Sequence, residues 1–376
     1  MKIIGSVKED LALEKRVSIT PETVKKLVDL NFSVVLEKKY GEHLGIADEE
    51  YKNEGANLES SAKEVLEKSE IILKVNCPSN DEINSIKNKS IVIGQFEPIS
   101  NKEIINKMIK KGVKIFSLNL LPRITRAQSM DVLSSQANLA GYRSVIDAAE
   151  QFGKAFPMMM TAAGRVNPAK VMVLGVGVAG LQAIATAKRL GAVVSATDVR
   201  SATKEQVESL GGKFIMVEDQ ESTNAETEGG YAKEMSEEYK KKQAKLIAET
   251  IAKQDIVICT ALIPGKTAPV LISQEMVESM ASGSVVVDLA VEAGGNCPLS
   301  KIGEVIVHKG VKVIGYANVP GRVAKDASAL YAKNIFNFLS LIINKEDKKI
   351  NLNWEDEIVN AVVLTHEGKL RLEQFN

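Results

Sequence analysis

The stretch that most constrains this 376-residue chain is VMVLGVGVAGLQAIATAKRLGAVVSATDVR, residues 171–200. An apolar, β-branched run leads straight into Gly175-x-Gly177-x-x-Gly180. A helix-period run follows, and a second apolar strand ends at Asp198. Each glycine answers a separate demand. Gly175 permits a tight turn, Gly177 lets the backbone approach a pyrophosphate, and Gly180 lets the helix lie close on the strand. Amides at the helix start, reinforced by the helix dipole, suit the pyrophosphate. A carboxylate at Asp198 accepts hydrogen bonds from ribose hydroxyls and repels a 2′-phosphate, which favours NAD over NADP. Arg200, two residues on, pulls the other way, because arginine can serve a 2′-phosphate. A glycine-rich turn with no ligand is the alternative, and the strand, helix, second strand and acid in sequence weigh against it. The expectation is a Rossmann-type domain that binds NAD(H), starting near Val171.

Elsewhere, short apolar runs alternate with amphipathic helical runs, the pattern of βαβ units and parallel sheets. Strands are expected at residues 3–7, 33–36, 71–75, 91–95, 114–117, 171–174, 193–197, 214–217, 255–260, 285–289 and 311–314. Helices are expected at 21–30, 62–68 and 101–111, the first with Thr20 as N-cap and Pro21 at the first position. Eleven strands exceed one comfortable sheet. The fold class is therefore α/β, with two Rossmann-like, doubly wound parallel-sheet domains joined by long helices at 135–151 and 323–343. The expected division is 1–134 with 322–376 for the first domain and 135–321 for the nucleotide-binding one. The charged tail from Asn344 has no assigned place. Residues 218–230, EDQESTNAETEGG, are polar and aperiodic, longer than ordinary α/β connections. The stretch reads either as a disordered surface loop or, over 218–231, as a mobile flap carrying Tyr231 behind a Gly229-Gly230 hinge.

Lys+Arg and Asp+Glu are both 48, which gives no support for nucleic-acid binding. Cys77, Cys259 and Cys297 are scattered, so neither a disulfide framework nor a zinc site is expected, and no metal is assigned. Residues 1–7 read as a strand rather than a signal peptide. The longest apolar stretch, 171–187, is short and glycine-punctuated, so no direct membrane insertion is expected.

Several long contiguous stretches resemble one family. LPRITRAQSMDVLSSQANLAGY at 121–142, MMMTAAG at 158–164, the glycine fingerprint, GGYAKEM at 229–235, ALIPGK at 261–266 and VEAGGNCPLS at 291–300 are similar to the NAD(H)-binding component of proton-translocating nicotinamide nucleotide transhydrogenase. The resemblance runs to about Phe338, and alanine dehydrogenase shares the whole fold more distantly. In that family NADH on this component passes hydride to NADP+ on a separate NADP(H)-binding component, and a membrane-spanning component couples the exchange to proton movement. The resemblance thus implies those two partners, a homodimer, and a place on the cytoplasmic face of an inner membrane. It maps an R-x4-Q-x2-D loop onto Arg123, Gln128 and Asp131, with Ser134 just beyond, and a mobile-loop tyrosine onto Tyr231. Further NAD contacts map onto Ile124, Thr125, Ser129, Met130, Val178, Asp198, Val199, Arg200, Gly230, Gln243 and Leu262. Hydride transfer between two nicotinamides moves no proton, so it needs oriented rings rather than an acid or base. Polar side chains such as Arg, Gln and Asp suffice to fix a carboxamide. A local ion pair at a helix start is the plainer reading of Arg123 and Asp131.

Two other readings remain. Arg16 in EKRVSITPE and Lys74 in ILKVNCP match positions where alanine dehydrogenase binds its keto acid. Such an enzyme also needs a proton acceptor, which the relative supplies as histidine in the strand after the lysine. Here that strand carries Gln95. His43, His308 and His366 lie far from it in sequence and read as surface residues, and Arg16 and Lys74 then read as core ion-pair residues. A non-enzymatic NAD(H) sensor is the second reading, since a Rossmann domain alone does not establish turnover.

Overall fold

The computed structural model describes residues 2–217, 235–263, 265–344, 349–366 and 368–371. The chain forms two compact units, one of Met1–Gln136 with Gly321–Asn376 and one of Ala137–Pro320.

In the first unit six strands form one sheet, and Thr365–His366 pairs with Lys369–Leu370 in a separate two-stranded one. The order of the larger sheet is Ala56–Glu59, Ser33–Glu37, Ile3–Ser6, Ile71–Leu73, Ile91–Gly94 and Lys114–Ser117, all parallel. Period-two side-chain alternation gives the sheet two apolar faces. Ile71, Leu73, Ile91 and Ile93 pack into one core layer, while Ile72 and Val92 pack into the other. The helix Pro21–Asp29 begins as expected: Thr20 is extended, and its N–H donates to Thr23 Oγ1 at 2.8 Å.

The second unit repeats the plan. Its order is Lys213–Phe214, Val193–Thr197, Lys170–Leu174, Ile256–Cys259, Val285–Asp288 and Val311–Ile314, with Val305–His308 antiparallel at the edge. Val171 and Val173 face one core layer, Met172 and Leu174 the other. In both sheets the order reverses beside the first strand. Ligands of open α/β sheets sit at that reversal, off the strands' carboxyl ends. In the second unit this places Gly175, Asp198 and Thr260 together at one rim.

Several expectations change. Ala56–Glu59 is a strand that the pattern did not suggest, because Asn57 and Glu59 interrupt its apolarity at an edge. Val305–His308 is another edge strand, with Val307 65% exposed. The strand expected at 214–217 shrinks to Lys213–Phe214, again at an edge. An exposed hairpin, Met159–Thr161 with Gly164–Val166, is also new. The connecting helix starts earlier than expected, at Val132, and runs to Gln151. The returning helix is Ala324–Leu341.

The unassigned tail covers the edge of the first sheet. Leu364 N–H donates to the Ile115 carbonyl at 2.8 Å, and Ile115 N–H donates to Thr365 Oγ1 at 3.0 Å. Thr365 Oγ1 in turn donates to the Val113 carbonyl at 2.7 Å. An uncovered edge strand is a template for pairing with another chain, and this arrangement removes it.

Candidate functional site

The glycine fingerprint is read most directly from what a Cβ would meet. At Gly180 it would lie 2.0 Å from the Gly175 carbonyl oxygen, so only glycine lets the helix Val178–Arg189 come this close to the strand end. Gly175 has φ +93°, and its carbonyl accepts from Thr260 Oγ1 at 2.8 Å. A Cβ at Gly177 would meet nothing within 4 Å. That open ground before a helix start is what a pyrophosphate approach requires. A fourth glycine escaped sequence reasoning. Gly141 lies inside the helix Val132–Gln151, where glycine is unfavourable, and its Cβ would fall 2.1 Å from the Ala179 carbonyl. A glycine inside a helical pattern was the available signal.

Asp198 follows the strand Val193–Thr197 and is 8% exposed. Oδ2 accepts from Val176 N–H at 2.7 Å and from Arg200 Nη2 at 2.8 Å. Oδ1 accepts from Arg200 N–H at 2.9 Å and Arg200 Nε at 2.8 Å. Four donors fill a carboxylate's usual complement of acceptor sites. Arg200 thus pairs with this carboxylate, and a ribose hydroxyl reaches it only by displacing part of that fork.

Of the other expected contacts in this unit, Val178 opens the helix after Gly177, and Val199 packs beside Met235 and Tyr239. Gln243 lies half-buried on the helix Glu237–Ile251. Leu262 is 42% exposed in the stretch after Ile256–Cys259. Asn296, not singled out in the sequence, ties this stretch down. Fully buried, it accepts from Ala261 N–H at 3.1 Å and donates to the carbonyls of Ala261 at 2.9 Å and Pro269 at 2.7 Å. Gly230, Tyr231 and the expected flap 218–231 lie outside the described residues.

The Gln128 loop belongs to the first unit. Residues Thr125–Met130 form a 3-10 turn. Ala127 and Met130, three apart, are buried in the core, so Thr125, Gln128 and Ser129 remain exposed. Arg123 is exposed and Ile124 half-buried just before the turn. Asp131 caps the helix Val132–Gln151: Oδ1 accepts from Ser134 N–H at 2.9 Å and Oδ2 from Ser134 Oγ at 2.5 Å. Asp131 and Ser134 thus form one unit at the helix start.

Arg16 and Lys74 are both buried and paired. Arg16 is 8% exposed. Its Nε and Nη2 fork onto Glu14 at 2.9 and 2.7 Å, and Nη1 donates to Gln136 Oε1 at 3.0 Å. Lys74, 2% exposed, meets Glu82 at 2.7 Å and Glu9 at 3.3 Å. Glu9 Oε1 also accepts from Val75 N–H at 2.8 Å. The chain's own carboxylates therefore occupy both cations. Gln95 follows the neighbouring strand, Ile91–Gly94. His43 is exposed, with Nε2 2.7 Å from the Lys15 carbonyl. His308 is half-buried against Glu278 at 2.8 Å rather than a plain surface residue. The His366 side chain lies outside what the structure describes.

Burial pushes the Glu9 carboxyl up from its ordinary 4.5 to about 7, against the pull of Lys74. A carboxyl whose folded pKa is raised holds its proton more tightly when folded. Its contribution to stability is full below about 4.5 and falls away as pH rises to about 7. The span corresponds to on the order of 3 kcal/mol. Glu9→Gln is therefore expected to lose less stability than the parent between pH 5 and pH 8, as read by thermal denaturation across pH. A constant difference between the two proteins over that range would refute the assignment to Glu9.

The alanine dehydrogenase/PNT N-terminal domain model matches residues 5–140, and the corresponding C-terminal domain model matches residues 144–373. The chain is 54% identical over 372 residues to the first portion of NAD(P) transhydrogenase subunit alpha of Rhodospirillum rubrum, covering 98% of this chain and 97% of that protein. A solved structure of transhydrogenase from Sinorhizobium meliloti superposes with a TM-score of 0.90 at 52% identity, covering 98% of this chain and 100% of the other. Alanine dehydrogenase 1 of Staphylococcus aureus is more distant, 30% identical over 352 residues, covering 91% of this chain and 88% of that protein.

Proposed function

Because this chain belongs to the alanine dehydrogenase/PNT family, we propose that it is the NAD(H)-binding component of a proton-translocating transhydrogenase. Hydride then moves directly between NAD(H) on this chain and NADP(H) on a partner component, while a membrane-spanning component couples the exchange to proton movement. The observation that carries this reading over alanine dehydrogenase is the state of Arg16 and Lys74. A substrate carboxylate would have to displace Glu14 from one and Glu9 or Glu82 from the other, and a buried carboxylate deprived of its cation is costly. Identity points the same way, 54% against 30%.

The chain's own residues then divide the work. Gly175, Gly177, Val178 and Gly180 offer backbone to the pyrophosphate. Asp198, Val199 and Arg200 face the adenine-side ribose, and Gln243 and Leu262 complete that end. Arg123, Ile124, Thr125, Gln128, Ser129, Met130, Asp131 and Ser134 serve the nicotinamide end, together with Gly230 and Tyr231. None acts as an acid or base. Their work is orientation and exclusion of water. No described helix is long and apolar enough to cross a membrane. In this reading the chain is held at the cytoplasmic face of the inner membrane by its partners. Titration with NADH, with and without an NADP(H)-binding component, tests the core of the proposal. Failure to bind NADH would end it.

A homodimer is part of the same reading. The hairpin Met159–Thr161 with Gly164–Val166 is exposed along both strands, with Met158 57% and Met160 71% accessible. An isolated two-stranded hairpin is marginal in water, and methionine-rich exposed surface suits a protein contact. Met160→Asp is expected to shift the mass seen by analytical ultracentrifugation from dimer to monomer at micromolar concentration. A monomeric parent, or a variant that stays dimeric, would remove the hairpin from the interface.

A further inference from the structure

Three side chains outside the R-x4-Q-x2-D loop converge on it from elements close to it only in the fold. The Ser129 carbonyl accepts from two carboxamides of the helix Ala324–Leu341, Asn334 Nδ2 and Asn337 Nδ2, each at 2.8 Å. Asn334 is 7% exposed, and its Oδ1 accepts from Ser135 Oγ at 2.7 Å, so one amide ties the loop to the start of the following helix as well. From the other side, Arg126 Nη1 and Nη2 fork onto Asp356 at 2.9 and 2.8 Å. Asp356 is the N-cap of Glu357–Val362, where it also accepts from Ile358 N–H at 2.9 Å. A capping carboxylate with a bidentate arginine is a geometrically defined pair, unlike a single-point surface contact. Ala127 and Met130 fix the loop's depth in the core. The asparagines and the arginine fork restrain its remaining freedom, sliding and rotation across the surface.

We infer that Asn334, Asn337 and the Arg126–Asp356 pair are positioning residues that fix the Gln128 loop for hydride transfer, so that the C-terminal segment is a working element of the site. This rests on the transhydrogenase reading above. Held from the helix on one side and the tail on the other, Gln128 extends from a fixed turn, and its reach does not depend on loop fluctuation. Misplacement by roughly 1 Å can cost about 100-fold in rate.

The test uses the full chain with an NADP(H)-binding component, comparing parent, Arg126→Lys, the Arg126→Lys/Asn337→Ala double variant and Gln128→Asn. Lysine keeps the charge but loses the fork, and Asn334 is left alone to preserve folding. The double variant is expected to transfer hydride about tenfold or more slowly at saturating nucleotide, with NADH affinity within about threefold and melting temperature near the parent's. Arg126→Lys alone should fall between. Hydrogen exchange should rise at residues 125–131 and nowhere else. Parental rates in the double variant while Gln128→Asn is slow would overturn the inference and leave the transhydrogenase reading intact. Parental rates in Gln128→Asn too would overturn both. A rate loss explained wholly by weaker NADH binding or by lowered melting temperature would also overturn it.

Discussion

On the proposed reading, Gln128→Asn is expected to slow hydride transfer to NADP+ on a partner component by about 100-fold while NADH affinity stays near the parent's. Gln128 is exposed on a turn whose neighbours Ala127 and Met130 are seated in the core. Removing one methylene retracts the carboxamide by roughly 1 Å without disturbing that anchorage. Because no proton moves, the rate depends on ring placement, and an error of that size is worth about two orders of magnitude. Stopped-flow transfer to an NADP+ analogue, paired with fluorescence titration of NADH, separates the two effects. The purified chain alone should bind NADH yet reduce neither NADP+ nor pyruvate with ammonia. Brisk alanine turnover by the isolated chain would move Arg16 and Lys74 to the centre of the chemistry and end the transhydrogenase reading.

NADH is expected to bind about 100-fold more tightly than NADPH, and Asp198→Asn to narrow that gap to within about tenfold. A ribose hydroxyl can replace one N–H of Arg200 on a carboxylate that stays accompanied by Val176 N–H. A 2′-phosphate brings negative charge to the same carboxylate, 8% exposed, where like charges are poorly screened. Arg200 offsets some of that repulsion, which holds the preference to about 100-fold, or ~2.7 kcal/mol. Asparagine removes the repulsion and releases Arg200 toward the phosphate. Fluorescence titration with both nucleotides decides it. Equal affinities in the parent would mean that Arg200 governs the site and would take this chain off the NAD(H) side.

What was legible followed from strong local signals. The second-unit strands Lys170–Leu174 and Val193–Thr197 are buried apolar runs with glycine and aspartate at their ends, and their order reverses where the fingerprint requires. Edge elements were harder. Ala56–Glu59 carries Asn57 and Glu59, so its composition reads as loop, and Val305–His308, though apolar, is only four residues long. The partner of Asp198 was hidden for a different reason. Arg200 was visible in the sequence, but whether it pairs with the acid or leaves it open depends on a local backbone bend that no periodicity encodes. Contacts across long stretches of chain were invisible altogether. Arg126 and Asp356 are 230 residues apart, and Asn337 and Ser129 are 208 apart. A charged tail gives no pattern by which to place it.

The six parallel strands of the second sheet follow the order of the first, so the reversal beside the first strand occurs twice. In the second unit the first strand's carboxyl end opens onto Gly177, where a Cβ would meet nothing within 4 Å. In the first unit the same place is followed by Glu9 and, farther on, by Glu14 and Arg16, with Lys74 leaving the neighbouring strand. There Arg16 pairs with Glu14, and Lys74 with Glu9 and Glu82. The first unit's crevice is thus stoppered by the chain's own ion pairs. The residues at the strand ends, rather than the strand order, distinguish the two crevices.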